Sequence, residues 1–215
     1  PTSIDGLIII PYDDPNEFGK TILCVANGYY YENDGKIDKA GRFLVGSMND
    51  GNPDNPSGSL YQLSSNNKLS LLLDQIRIPN SIAWAPEGDG MYFSDTRAET
   101  IWSFHYNCET GKISDRKTFA KFSHRQGRPD GATVDIEGFL WCAEYGGGKI
   151  LRFDPKGKLV SEIILPATNV TSCTFGGPNF STLFITTASQ RLNPEQKMLQ
   201  PLAGSIFSCE LNITG

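Results

Sequence analysis

Residues 130–143, DGATVDIEGFLWCA, contain the pattern that decides the fold. The polar residue Asp130 precedes a short run of alternating residues, a turn at Glu137-Gly138 and a second run that begins at Phe139. Alternation of apolar and polar side chains has the two-residue period of a β-strand. The stretch therefore predicts two consecutive strands joined by a short turn.

The same arrangement occurs four times along the chain. The leading polar residues are Asn33, Asn80, Asp130 and Thr171, and a turn residue follows eight positions later, at 41, 88, 138 and 179. Repeats of about 40–50 residues with four short strands are the size of a propeller blade. A β-sandwich also has many short strands, but it does not predict this shared register. We therefore predict an all-β chain with a β-propeller fold.

Further runs support this class. Eight short segments are predicted as strands: 43–48, 60–63, 91–94, 101–106, 139–143, 150–153, 183–187 and 206–211. Only residues 190–202 could form a turn of helix, and Pro194 and Pro201 limit the length of that helix.

Composition excludes several classes of function. The 215 residues are 39% hydrophobic and 20% charged, which is typical of one globular domain over residues 1–215. A net charge of −5 argues against nucleic acid or an anionic membrane as partner. No apolar run approaches the roughly 20 residues that span a bilayer. Five cysteines without a CxxC pair indicate buried thiols in a reducing compartment, so we expect a cytoplasmic monomer or weak homo-oligomer.

The repeat also predicts a site. The innermost strand of each blade runs along the propeller axis, so residues that start equivalent strands should converge on one mouth of the channel. Oxygen donors such as those of Asn80 and Asp130 suit calcium or magnesium, and manganese or iron(II) also accepts such a set. Asn and Asp beside Gly also commonly form turns. Any single leading residue could therefore be a turn former instead of a ligand.

Several motifs, in order along the chain, resemble those of the SMP-30/gluconolactonase/luciferin-regenerating-enzyme family. The matching stretches are 33–38, 46–48, 79–84, 128–131, 135–141, 175–178 and 203–207. The resemblance implies a six-bladed β-propeller that hydrolyses sugar lactones such as gluconolactone. It further implies that Asn80, Asp130 and a first-blade Glu hold one divalent metal ion, with calcium expected and zinc as a further alternative. The metal is then the Lewis acid, Asp130 the general base, and Asn33 a substrate contact.

The sequence also departs from the family pattern. The first-blade motif Glu-Gly-Pro with a following Trp is not found, Tyr31 stands where the family has Arg, and Ser81 stands where it has Gly. A substrate-contacting acid after Met48 is not evident, although Asp50 and Asp54 lie nearby. Counting back from Asn33, residues 1–32 supply only the outer part of a blade. We expect about four full blades plus part of another, without the first blade, and a longer parent chain that carries the Glu.

Two other functions stay open. A catalytically impaired propeller that binds a metal or a partner would explain the missing Glu and the Tyr31 replacement. A propeller of the paraoxonase or strictosidine-synthase type is disfavoured by the Pro-Asp-Gly and Phe-Gly-Gly-Pro matches. His105 reads as structural, whereas His124 precedes Asp130 in a loop that could reach the mouth. Tyr29–Tyr31 suits either a pocket wall or strand packing.

Overall fold

A computed structural model describes residues 7–11, 21–25, 30–49, 51–66 and 68–215, with side chains from residue 32 onward. The expectations for Tyr29 and Asp50, and for the side chain of Tyr31, lie outside this description.

The described strands form five antiparallel sheets. The first pairs β1 (Leu7–Pro11) with β2 (Thr21–Val25). The second contains β3 (Tyr30–Ile37), β4 (Phe43–Asn49), β5 (Gly58–Leu63) and β6 (Leu69–Ile76). The third contains β7 (Pro79–Trp84), β8 (Gly90–Asp95), β9 (Thr100–Tyr106) and β10 (Ile113–Lys121).

The last two sheets complete the described chain. The fourth contains β11 (Arg128–Val134), β12 (Leu140–Tyr145), β13 (Lys149–Phe153) and β14 (Leu159–Ile164). The fifth contains β15 (Val170–Gly176), β16 (Thr182–Thr187) and β17 (Ile206–Glu210). A short helix, α1 (Pro194–Leu199), lies between β16 and β17, where the sequence predicted a helical turn.

The sheets are arranged as propeller blades, which confirms the predicted fold class. Strands follow one another from the inside outward in each sheet, and the first strands β3, β7, β11 and β15 lie side by side. The eight predicted runs all form strands, but β6, β10 and β14 were missed. These outermost strands carry mostly exposed or partly exposed side chains, so their sequences lack a clear buried face.

Apolar side chains fill the spaces between adjacent blades. One cluster joins the blades of β3–β6 and β7–β10 through Leu44, Leu60, Ile82 and Phe93. Two further clusters lie between the third and fourth sheets and between the fourth and fifth. This packing holds the inner strands side by side, and it therefore positions whatever those strands carry into the channel.

The described cysteines are free thiols, as expected, but they are not all buried. Cys142 and Cys173 lie in the core, whereas Cys209 is partly exposed. The expectation of a buried thiol is wrong for Cys108, because the chain turns outward after β9 and leaves it exposed. Within the described residues, no helix combines the length and apolar character that crossing a bilayer requires.

A buried ionic network closes the turn of the β3–β4 blade. The Asp38 carboxylate accepts hydrogen bonds from the Tyr106 hydroxyl at 2.5 Å and from Arg42 Nε at 2.6 Å. Burial alone would raise the pKa of Asp38, but Tyr106 and the Arg42 backbone and guanidinium outweigh it, so the pKa lies below its ordinary value of 3.8. The ionised form of Asp38 therefore stabilises the folded state.

This network predicts an acid-dependent effect of Tyr106→Phe. The variant should lose about 1–2 kcal/mol of unfolding free energy at pH 7, because a buried charged acceptor loses one donor. Since the folded pKa of Asp38 is depressed, its contribution is complete above pH 3.8 and disappears as the pH falls through the lower folded pKa. Urea unfolding at pH 7 and at pH 3 should show the difference between wild type and variant shrinking with acid.

Tyr61→Phe is the control, because the Tyr61 hydroxyl has no hydrogen-bond partner among the described residues. Tyr61→Phe should lower the free energy of unfolding only slightly at either pH. A Tyr106→Phe penalty that stays constant, or grows, towards pH 3 would contradict the assignment.

Candidate metal and substrate site

The four leading residues lie at interruptions of the strand ladder. The pairing register shifts between Glu32 and Asp34 in β3, directly after Asn80 in β7, between Pro129 and Ala132 in β11, and between Val170 and Ser172 in β15. A bulge bends a strand and redirects its side chains. The leading residues do not begin their strands, as the sequence had suggested, because the preceding residues also pair; the bulges nonetheless occupy equivalent places.

All four leading residues line one cavity of about 360 Å³ at the channel mouth. The convergence predicted from the repeat is therefore present for Asn33, Asn80, Asp130 and Thr171. Thr171 is the least available of them, since its hydroxyl already pairs with that of Thr186 at 2.7 Å.

Asn80 presents one free oxygen to the cavity. Its side chain is only 4% exposed, and Nδ2 donates to the Thr96 hydroxyl at 2.7 Å. Thr96 in turn donates to the carbonyl of Pro129 at 2.8 Å, which ties the amide to the neighbouring blade. Oδ1 of Asn80 accepts no hydrogen bond from the described residues, so it is available to a cation or a ligand.

Asp130 is a half-buried carboxylate with few donors around it. Its only hydrogen bond within the described residues comes from the backbone N–H of Gly131 to Oδ1 at 2.9 Å. Burial and the nearby negative charge of Asp34 raise its pKa to about 7, although the Gly131 N–H lowers it. A buried carboxylate without a full set of donors needs a proton or a cation for compensation.

Ser81 fixes the position of Asp130 from the adjacent blade. Its hydroxyl donates to the Asp130 carbonyl at 2.5 Å and accepts from the Ser94 hydroxyl at 2.9 Å. The backbone of Ser81 has φ +57°, in the left-handed region that favours glycine. This conformation explains physically why a glycine commonly stands at this position in the resembling family.

Asp34 is a second acid of the cavity that sequence reasoning missed. Its Oδ2 accepts the Ile82 N–H at 3.1 Å. Burial raises its pKa, against the lowering effect of that hydrogen bond and of Lys36. In a regular strand neighbouring residues face opposite sides, so Asn33 and Asp34 would not share a cavity. The bulge at Asn33 removes this alternation, and the only signal in the sequence was the adjacent Asn-Asp-Gly turn chemistry.

Asn33 is more exposed than Asn80 and lies at the rim. Its Nδ2 donates to the carbonyl of Pro79 at 2.8 Å, which joins β3 to β7. The Oδ1 atom has no hydrogen-bond partner among the described residues. It is thus free to accept a hydrogen bond from a ligand hydroxyl.

The loop after β16 contributes residues that sequence reasoning did not select. Arg191 and Gln190 line the cavity, as does Tyr145 at the end of β12. Burial raises the pKa of Tyr145, Arg191 lowers it and Asp130 raises it again, with a net increase. Its phenol therefore stays protonated at neutral pH and can donate a hydrogen bond.

Other sequence candidates lie elsewhere. His105 and His124 are exposed and do not line the cavity, and Asp54 is ion-paired with Arg97 instead. Among the residues the structure describes, no three His, Cys, Asp or Glu side chains are grouped so that they could hold a metal ion. The described part of the site thus offers the amide oxygen of Asn80 and the carboxylate of Asp130, and not a complete set of acidic metal ligands.

Fold and site together define a β-propeller in which successive inner strands deliver polar side chains to one mouth of the channel. The chain belongs to the SMP-30/Gluconolactonase/LRE-like region family, whose model matches residues 19–189. The family predicted from the motifs is therefore confirmed.

Individual relatives agree with this membership. Regucalcin of Danio rerio is 39% identical over 185 residues, which cover 85% of this chain and 61% of the relative. The crystal structure of a calcium-binding protein, regucalcin, from Agrobacterium tumefaciens matches with a TM-score of 0.82 and 28% identity, over 86% of this chain and 63% of that one. A gluconolactonase from Xanthomonas campestris matches with a TM-score of 0.66 and 27% identity, over 80% and 60%. The chain spans about three-fifths of the length of the curated relatives it matches.

Proposed function

We propose that this chain forms the main part of a metal-dependent hydrolase that opens sugar lactones. The observation that carries the proposal is that one cavity is lined by the half-buried Asp130 carboxylate, with a single N–H donor, and by Asn80, whose Oδ1 has no partner among the described residues. Family membership and the similarity to a gluconolactonase support this class of reaction.

The donor chemistry fits a hard divalent cation. Asn80 Oδ1 has no competing partner in the described part of the chain, and the Asp130 carboxylate accepts only the Gly131 N–H there. Calcium prefers such oxygen ligands. Magnesium, manganese, iron(II) or zinc would be alternatives. A Glu from a preceding blade and water would complete the coordination. When bound, the metal would supply Lewis-acid polarisation of the lactone carbonyl.

The residues of the chain transfer the proton and orient the substrate. Asp130 accepts the proton of the attacking water, because a carboxylate within hydrogen-bond reach of that water can act as a general base. The water oxygen bonds to the carbonyl carbon, the ring C–O bond breaks, and the ring oxygen takes a proton to give the hydroxy acid. Asn33 Oδ1 accepts a hydrogen bond from a ring hydroxyl and so orients the lactone. In the metal-free site, the negative charge of Asp34 raises the pKa of Asp130.

Metal removal and Asn80→Ala test the proposal. Chelation should lower gluconolactone hydrolysis by the full chain at least about 100-fold, and added calcium should restore it. Asn80→Ala should need about 10–100 times more calcium for half-maximal activity, because one oxygen ligand is lost. A pH-stat or a carboxylate assay measures the rate against free calcium.

The matched control is Asn66→Ala, which makes the same change in an exposed turn outside the cavity. It should leave the calcium dependence unchanged. Full turnover in the presence of chelator, or an unaltered calcium requirement in Asn80→Ala, would refute the metal role. Calcium binding by calorimetry without turnover of any lactone would instead favour the metal- or partner-binding scaffold.

A further inference from the structure

Arg191 is a cation in the cavity lining, and no described residue forms an ion pair with it. Its guanidinium forms no hydrogen bond or ion pair with any residue that the structure describes, although Asp34 and Asp130 line the same cavity. An exposed arginine beside unpaired carboxylates would ordinarily find one of them. The guanidinium is therefore available to an anionic ligand.

The loop holds Arg191 at this place by specific contacts. Asn169, only 6% exposed, donates from Nδ2 to the carbonyl of Gln190 at 2.9 Å. Its own carbonyl accepts the N–H of Ala188 at 2.8 Å. Two residues further on, Asn193 caps the start of α1. Both sides of Arg191 are therefore anchored.

The backbone of Arg191 also carries a conformational cost. Its φ of +63° is in the left-handed region, which costs an arginine about 1 kcal/mol or more relative to glycine. A strained non-glycine residue that lines a cavity points to a role for its side chain.

The chemistry of the cavity indicates which ligand Arg191 would bind. A divalent ion at Asn80 and Asp130 would offset the two carboxylates of the cavity, whereas the guanidinium would remain uncompensated. A guanidinium binds a carboxylate through two parallel N–H···O hydrogen bonds, with both charge and geometry matched. Tyr145 lines the same cavity, so its phenol is a further hydrogen-bond donor for the same ligand.

We propose that Arg191 binds a carboxylate carried by the substrate, so that the preferred substrate is an acid-bearing sugar lactone, the monolactone of an aldaric acid, rather than a neutral aldonolactone. The reaction in this inference rests on the proposed lactonase function. The substrate class rests on the Arg191 guanidinium, which has no partner among the described residues. Asp130 and Asn80 act at the lactone carbonyl, and Arg191 holds the far carboxylate.

Kinetics with glucaro-1,4-lactone and glucono-1,5-lactone test the inference in the calcium-loaded full chain. Arg191→Gly should lower kcat/KM for the glucarolactone by about 10–100-fold, mainly through KM, and change that for the gluconolactone less than twofold. Glycine adopts positive φ freely, so this variant should not lose stability. Arg191→Lys should retain part of the preference, and Lys197→Gln on α1 should retain all of it. An equal loss on both lactones, or no loss on either, overturns the proposal.

Equilibrium binding separates this inference from the lactonase assignment. Calorimetry with glucarate, which has two carboxylates, and gluconate, which has one, needs no turnover. Wild type should bind glucarate about 10–100 times more tightly, and Arg191→Gly should remove that preference. If neither lactone is hydrolysed but the preference for glucarate depends on Arg191, the lactonase function is refuted and the binding of a carboxylate by Arg191 is supported. If wild type binds both anions equally, the anion site is refuted whatever the lactonase result.

Discussion

Replacing Asp130 with asparagine is expected to lower kcat for lactone hydrolysis by about 10²–10⁴-fold at saturating calcium, with the fold intact. The asparagine has the same shape and keeps an oxygen towards the cavity, but it cannot accept the proton of the attacking water. Because Asp130 has one hydrogen bond within the described residues and a pKa raised by burial, a neutral amide should not destabilise the protein. The rate at saturating calcium should collapse, while the thermal midpoint measured without calcium stays the same or rises.

Stopped-flow or pH-stat kinetics together with calorimetric melting would measure both quantities. Asp89→Asn provides the control, because Asp89 is exposed in the β7–β8 turn and lies outside the cavity. It should change neither quantity. A wild-type rate in Asp130→Asn removes Asp130 as the base, and a parallel loss of thermal stability would show that its role is structural.

The second large effect is expected on stability, at Asp135. Its buried carboxylate accepts hydrogen bonds from Trp141 Nε1 at 2.9 Å and from Arg152 at 2.6 Å, besides two backbone N–H groups of the turn. Asp135→Ala removes all of these acceptors, so the indole N–H loses its acceptor and the guanidinium keeps only its exposed ion pair with Glu137 at 2.8 Å. Breaking a buried ion pair from one side costs about 3–5 kcal/mol. We expect the unfolding free energy to fall by this amount and the melting midpoint by about 10 °C.

Asp154→Ala is a matched control in the same blade. Asp154 accepts the same kind of backbone N–H groups, from Lys156 and Lys158, but it has no ion pair and no indole partner within the described part of the chain. Its loss should cost only about 1 kcal/mol, as for a typical turn acceptor. Chemical denaturation of both variants isolates the buried network. Equal penalties for the two aspartates would show that Arg152 and Trp141 contribute nothing through Asp135.

The location of the site was readable from the sequence for a definite reason. Blades repeat, so Asn33, Asn80 and Asp130 could be aligned by their distance to the following turn. Propeller geometry then brings aligned residues together without any knowledge of the intervening chain. The resemblance added roles for these residues, and the structure places all three in one cavity.

Other features depended on irregularities that a strand pattern does not contain. Asp34 shares the cavity only because a bulge cancels the alternation of faces at Asn33. The outer strands β6, β10 and β14 were missed because hydrogen bonding to an already formed blade, rather than burial of one face, makes them strands.

Local pattern and periodicity thus determined the propeller, its repeating unit and the three polar residues at its mouth, because these depend on neighbours close in sequence and on a repeated register. Only the tertiary structure decided the charge environment of Asp130 and the presence of Arg191 in the same cavity. The negative charge of Asp34 acts on Asp130 from another blade, and the anchored loop before α1 brings Arg191 to the cavity lining. Such contacts between residues distant in sequence have no signature in the one-dimensional pattern.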